Sequence, residues 1–177
     1  VITALFDLVA RHDVAFDEIE KVRISLSKTP FDMHGGFATY KAKFEALLSA
    51  HYVSAVYLRD RTVTLAQFEP ASYDDPALRR FAAERVEVVH DPALAGGQAV
   101  AEVVTKDGRT LASRCDHPLG TPENPLSRGQ VEDKFRTYAE PVLSSAKAEE
   151  VILTIDRLEE LGSSRTLLDL LRVPASN

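Results

Sequence analysis

Residues 98–115, QAVAEVVTKDGRTLASRC, predict a β-hairpin and decide the fold class. Two runs suited to strands flank Lys106-Asp107-Gly108, and Asp-Gly is a strong signal for a tight hairpin turn. Residues 20–27 alternate apolar and polar side chains, as a half-buried strand does, and residues 85–90 predict a fourth strand. Because a hairpin joins antiparallel neighbours, we expect a mostly antiparallel sheet of about four strands.

Amphipathic helical patterns surround these strands. They predict helices over residues 2–11, over 38–60 as one helix or two, after Asp75-Pro76, over 130–144 and over 147–161, with a last short helix capped by Ser164. Thr29-Pro30 and Gly35-Gly36 bracket a predicted loop, and residues 117–127 predict another. The whole pattern favours an α+β fold, a two-layer sandwich with helices on one face of the sheet, in a single domain over residues 1–177. An alternating parallel βαβ sheet is the alternative, and it needs more strands than the sequence offers.

The composition is that of an ordinary soluble globular protein, with 45% hydrophobic and 27% charged residues. Acidic residues number 27 against 21 basic ones, and the Lys and Arg residues are scattered along the chain. Nucleic acids and anionic membranes are bound by clustered positive charge, so we expect neither as a partner. A small acidic substrate is compatible with the composition, because a few convergent cations hold a carboxylate even in an acidic protein.

The cysteine content and the N-terminus bear on where the protein works. Cys115 is the single cysteine, which excludes an intrachain disulfide and suits a reducing compartment, so we expect a cytoplasmic protein. No apolar run approaches the roughly 20 residues that span a bilayer. The chain is in helical period from Val1 and Ile2 onward, with neither an initiator Met nor an N-cap residue. We expect from this that further sequence precedes Val1, with processing as the alternative.

The common catalytic motifs are absent from the sequence. It contains no P-loop, no GxGxxG, no GxSxG and no HExxH, and its five histidines share no ligand spacing, so we expect no metal site. His51 and Tyr52 both have groups that transfer protons, yet an interior tyrosine on a helix is more often a core residue with a satisfied hydroxyl. His34, beside Gly35-Gly36, is interpreted as a solvated turn residue rather than a pocket residue, and the role of His117 is left open.

Three segments resemble the second domain of the MmgE/PrpD family. Residues 48–58, LSAHYVSAVYL, are similar to the family's S-x-x-Y-x-x-A-x-x-L helix, and Phe68 follows where the family often has an aromatic residue. The second segment comprises residues 74–76, residues 85–88 and the turn at 105–109. Residues 118–127, PLGTPENPLS, with Lys134-Phe135 behind them, form the third and most specific segment. Together the three cover roughly residues 1–145.

The resemblance implies part of a lyase or isomerase. Such enzymes pair an all-helical N-terminal domain with this smaller α+β domain, form homodimers, and dehydrate, decarboxylate or epimerise small polycarboxylates, as in propionate metabolism, by acid/base chemistry without a cofactor. Tyr52 is the catalytic position carried over, for carboxylate binding or proton transfer, and Ser49 and His51 are implied to bind substrate. His51 stands where the family commonly has Pro, which leaves the substrate identity open.

The family draws further histidines and an aspartate from its helical domain, so we expect this domain to be inactive in isolation. The alternative is a non-catalytic binding or oligomerisation domain in which the family's active site has decayed.

Overall fold

The structure is a computed structural model that describes residues 1–173. Its contacts group the chain into two compact units, Val1–Asn124 and a second unit that begins at Pro125. The first unit contains the sheet, and the second is helical. The prediction of one domain over the whole chain stays a prediction.

The first unit begins with a helix and a strand and continues through short helices to the hairpin. Its helices are α1 (Ile2–His12), α2 (Lys28–His34), α3 (Lys43–Leu48), α4 (Ala50–Asp60), α5 (Pro70–Tyr73) and α6 (Pro76–Arg85). Its strands are β1 (Ile19–Leu26), β2 (Val86–His90), β3 (Ala99–Thr105) and β4 (Thr110–Cys115). Single 3₁₀ turns lie at Phe16–Glu18 and Leu65–Phe68.

The four strands form one mixed sheet in the order β2-β1-β3-β4. β1 pairs with β2 in parallel, whereas β1 with β3 and β3 with β4 are antiparallel, the last pair being the hairpin that the Asp-Gly turn predicts. The prediction of a mostly antiparallel four-stranded sheet in an α+β fold is therefore confirmed. The parallel βαβ alternative is wrong, because only one of the three strand pairings is parallel.

One face of the sheet is the core of the first unit. Val22 pairs with Val86 on one side and Val103 on the other, and Val103 pairs with Leu111, so four apolar side chains lie in one row. Each is buried, and burying a side chain of this size contributes about 1.5–3 kcal/mol. Helices α1, α4 and α6 pack against the strands of this sheet. The opposite face of β1 carries polar side chains that are exposed, among them Arg23.

The region predicted as one helix or two is two helices that meet at Ser49. Ser49 has an extended backbone, with φ −79° and ψ 109°, so the helical path is interrupted there. Its hydroxyl oxygen accepts a hydrogen bond from the Tyr52 N–H at 2.9 Å and thereby caps α4. At the other end, α4 stops at Arg61, which takes a left-handed conformation with φ 59°.

The prediction of a loop between Thr29 and Gly36 is wrong, because helix α2 lies there. Ser27 has an extended backbone ahead of the helix, and Pro30 falls in the first turn, where an N–H has no helical partner and a proline costs little. Gly35 ends the helix, so the glycine pair marks a helix end rather than the far side of a loop. The loop predicted over residues 117–127 is confirmed in its main part, since no helix or strand begins between Cys115 and Arg128.

The second unit comprises α7 (Arg128–Leu143), α8 (Ser145–Ile155) and α9 (Arg165–Leu170), with a 3₁₀ turn at Leu158–Glu160. Pro141 lies inside α7. Helix α8 ends at Ile155, six residues earlier than the predicted boundary at 161. Ser164 does not cap α9 with its side chain; the neighbouring Ser163 hydroxyl accepts the Arg165 N–H instead. Within residues 1–173, no helix is both long enough and apolar enough to cross a membrane.

Candidate functional site

A cavity of the first unit lies where α1 and α4 begin and α2 ends. Its volume is about 460 Å³, a size suited to a small molecule. Apolar side chains form most of its wall, and the lining side chains that carry polar groups are Thr3, His34, Ser49 and Gln98. We call this space the α4 cavity.

The α4 cavity has almost no charge in its wall. Among the described residues that line it there is no Lys, Arg, Asp or Glu, and His34 has the one ionisable side chain. The carboxylates of a ligand in this cavity therefore receive no counter-charge from an Arg or Lys of this wall. The wall is suited to contact the apolar carbon skeleton of a ligand and to offer it a few hydrogen bonds.

Ser49 belongs to the wall of the α4 cavity and also makes hydrogen bonds inside the protein. It is fully buried. Besides capping α4, its hydroxyl donates a hydrogen bond to the Phe37 carbonyl at 2.5 Å, so its proton and one of its two lone pairs are used within the protein. Ser49 and Ala50 both line the α4 cavity, which places the start of α4 at its edge.

Tyr52 lies behind this wall, in a cluster of aromatic rings. Its ring packs edge-on against Tyr40 at a centroid distance of 4.9 Å and against Phe68 at 5.8 Å. We call these three residues the aromatic cluster. The Tyr52 side chain is fully buried and its hydroxyl donates a hydrogen bond to the Gln67 carbonyl. Burial raises the pKa of Tyr52 to about 12, so the phenol stays neutral and acts as a donor at neutral pH.

His51 is also mostly buried, with 6% of its surface exposed. Its Nδ1 atom is buried and has no hydrogen-bond partner among residues 1–173. Burial lowers the pKa of His51 below its ordinary value, which favours the neutral imidazole.

His34 is the residue that sequence reasoning set aside. It is the last residue of α2, it is half-buried, and it lines the α4 cavity. Its Nδ1 atom lies 3.0 Å from the Leu48 carbonyl oxygen at the end of α3. The interpretation of His34 as a solvated turn residue is therefore wrong. No sequence signal identifies this contact, because its acceptor is a backbone carbonyl fourteen residues away.

The structure brings the predicted site residues together only in part. Ser49 lines the α4 cavity, whereas Tyr52 and His51 are not among its lining residues. Tyr52 reaches the wall through Phe68, which belongs both to the aromatic cluster and to the lining. His117 does not line the α4 cavity; its backbone carbonyl accepts a hydrogen bond from the Asn124 side chain at 2.9 Å. In the part of the chain that the structure describes, no three His, Cys, Asp or Glu side chains are grouped to hold a metal ion.

The fold and the cavity define a class: an α+β domain with a mixed four-stranded sheet and a cavity at the start of a serine-capped helix. The sequence profile of the MmgE/PrpD C-terminal domain matches residues 1–160, and the chain belongs to the MmgE/PrpD family.

Two mammalian relatives match over 138 residues. Cis-aconitate decarboxylase of Homo sapiens is 30% identical over this stretch, and that of Mus musculus is 28% identical. In both cases the match covers 76% of this chain and 28% of the relative, so the chain matches less than a third of the length of these enzymes.

Proposed function

We propose that this chain is the part of an MmgE/PrpD lyase or isomerase that forms one wall of the site for a small polycarboxylate. The reaction is a dehydration, a decarboxylation or an epimerisation carried out by acid/base groups, and decarboxylation is the reaction of the two relatives. The observation that carries the proposal is the α4 cavity, which borders the start of the S-x-x-Y helix that the family resemblance singles out.

The wall's lack of charge supports a division of labour between two domains. A polycarboxylate needs cations for its carboxylates and for the charge that develops in the reaction. Since no Lys or Arg lines the α4 cavity among the described residues, those cations come from elsewhere, and the family's helical N-terminal domain is the proposed source. This predicts that residues 1–177 alone turn over no polycarboxylate.

For Tyr52 we propose hydrogen-bond donation rather than service as a base. A phenol with a pKa of about 12 holds its proton at neutral pH. Its hydroxyl donates to the Gln67 carbonyl, so donation to a substrate requires that this hydrogen bond be exchanged. Ser49 and His51 are proposed as its substrate-binding neighbours, Ser49 at the cavity edge and His51 through its unpartnered Nδ1.

The test is Tyr52→Phe in the enzyme that combines this domain with the helical domain, assayed on cis-aconitate and 2-methylcitrate. Loss of a group that donates in the transition state lowers kcat about 10²–10⁴-fold. Tyr57→Phe is the matched control, since Tyr57 is a second buried tyrosine on α4 and does not line the cavity. Activity of Tyr52→Phe within about twofold of wild type would leave Tyr52 only its structural role.

A second candidate function is assembly, and the second unit favours it. Large apolar side chains on its helices are exposed: Val131, Tyr138, Val142, Leu153, Ile155 and Leu168. Exposed apolar groups in such number are typical of an interface, and we propose a homodimer. Light scattering on wild type and Leu153→Glu tests it: the proposal predicts a dimer that the charge weakens, and a wild-type monomer contradicts it.

The single cysteine supports a cytoplasmic location for the enzyme.

A further inference from the structure

Among the described residues that line the α4 cavity, one has a side chain of the kind that commonly transfers protons, the imidazole of His34. Imidazole is the side chain whose ordinary titration lies nearest neutrality, which is why it serves most often as a general acid or base. The other polar side chains of the wall, those of Thr3, Ser49 and Gln98, are not ionisable in this range.

The contact with Leu48 determines which ring nitrogen of His34 is available. A carbonyl oxygen has no proton to donate, so the 3.0 Å contact requires a proton on Nδ1. In the neutral imidazole the lone pair is then on Nε2, and in the imidazolium Nε2 carries the exchangeable proton. Nε2 has no hydrogen-bond partner among residues 1–173.

The position of His34 is held by the end of α2. Gly35 follows it, and a Cβ atom at Gly35 would lie 2.7 Å from the Phe31 ring and 2.8 Å from the Phe31 carbonyl. A side chain there cannot be accommodated without displacing the backbone that carries His34. In enzymes, an orienting group commonly holds a general base in one tautomer and one position. Here the Leu48 carbonyl is the orienting group of His34.

We propose that His34 is a proton-transfer residue of this enzyme, with Nε2 facing the ligand in the α4 cavity; this inference rests on the proposed function. In a dehydration, Nε2 takes the proton from the carbon beside a carboxylate, the C–H electron pair forms the C=C bond, and hydroxide leaves and receives that proton as water. In a decarboxylation, carbon dioxide leaves, its bonding pair stays with the substrate, and Nε2 gives a proton, which water replaces, to the carbon on which that pair comes to rest.

The decisive variant is His34→Asn in the two-domain enzyme, assayed on cis-aconitate and 2-methylcitrate. The Asn amide nitrogen takes the place of Nδ1 and keeps the hydrogen bond to Leu48, while Nε2 is lost. We expect kcat to fall about 10²–10⁴-fold with KM within about threefold, and no change in the denaturant midpoint. His12→Asn is the matched control, because His12 is exposed at the end of α1 and does not line the cavity.

A second variant separates chemistry from architecture. In His34→Ala, added imidazole should restore part of the lost kcat, which a purely structural role would not allow. A His34→Asn enzyme within about twofold of wild type, or a His34→Ala enzyme that imidazole does not restore, overturns the inference and leaves the proposed function standing. A wild-type two-domain enzyme that turns over neither acid contradicts the proposed function itself, and the inference falls with it.

Discussion

The aromatic cluster and the α4 cavity share Phe68, and they differ in what their polar groups do. In the aromatic cluster, the Tyr52 hydroxyl is engaged by the Gln67 carbonyl and the side chain is fully buried. At the cavity, one ring nitrogen of His34 contacts the Leu48 carbonyl, and the other has no hydrogen-bond partner among residues 1–173. The comparison shows that Tyr52, the residue singled out by the family motif, lies behind the wall, whereas His34, a residue outside any motif, lies in the wall itself.

The largest effect expected from this comparison is on stability. Tyr52→Ala removes a fully buried ring and should lower the free energy of unfolding by about 3–5 kcal/mol. His34→Ala removes one hydrogen bond from a half-buried side chain and should cost about 1 kcal/mol. Urea unfolding of the two variants checks this difference. Equal losses of unfolding free energy in the two variants would contradict the distinction between the buried ring of Tyr52 and the half-buried side chain of His34.

The next effect concerns the backbone that carries His34. Gly35→Ala places a Cβ atom against both the ring and the carbonyl of Phe31, and overpacking of this kind costs about 1–3 kcal/mol. Gly36→Ala is the matched control, because no described atom lies within 4 Å of its Cβ position, and it should change stability by less than about 0.5 kcal/mol. Thermal unfolding of both proteins measures the contrast; a neutral Gly35→Ala would show that the end of α2 is adaptable.

A smaller effect is expected at the start of α4. Ser49→Ala removes the cap of the helix and the donor to the Phe37 carbonyl, and caps of this kind contribute about 0.5–2 kcal/mol. Ser54→Ala is a control on the same helix: Ser54 is equally buried, but its hydroxyl donates only to the Ala50 carbonyl one turn back. We expect a cost below about 0.5 kcal/mol for Ser54→Ala in chemical denaturation. Similar losses in the two variants would contradict the capping role.

The smallest effect is a pH dependence carried by His51. Burial lowers its pKa in the folded state below the ordinary 6.5, so the unfolded chain binds the proton more tightly. The stability contributed by the neutral imidazole is therefore complete above pH 6.5 and is lost as the pH falls from there toward the lowered pKa. Denaturant midpoints between pH 7.5 and 5.5 should decline less in His51→Gln than in wild type, while His12→Gln, an exposed control, should match wild type.

The sheet was predictable from sequence because its signals are local. Alternation around Val22 and the Asp107-Gly108 turn are visible without knowledge of the partner strands. Helix α2 was not predictable from sequence, since Pro30 and Gly35 are loop signals unless Pro30 falls in the first turn of a helix.

The site was predictable only where a motif marks it. Ser49 is found through the S-x-x-Y pattern and lies at the cavity. His34 is missed because the cavity is assembled from the starts of α1 and α4, the end of α2 and the loop at Gly97, segments that are far apart in the chain. The orientation of its ring depends on a backbone carbonyl, for which residue identity gives no signal.

The most direct test of the central claim, that the α4 cavity is a wall of the substrate site, is a crystal structure of the two-domain enzyme with a bound polycarboxylate. The claim predicts the acid in contact with Ser49 and Phe68, with a polar atom about 3 Å from the Nε2 atom of His34. An acid bound elsewhere, with the α4 cavity filled by side chains of the helical domain, would contradict it.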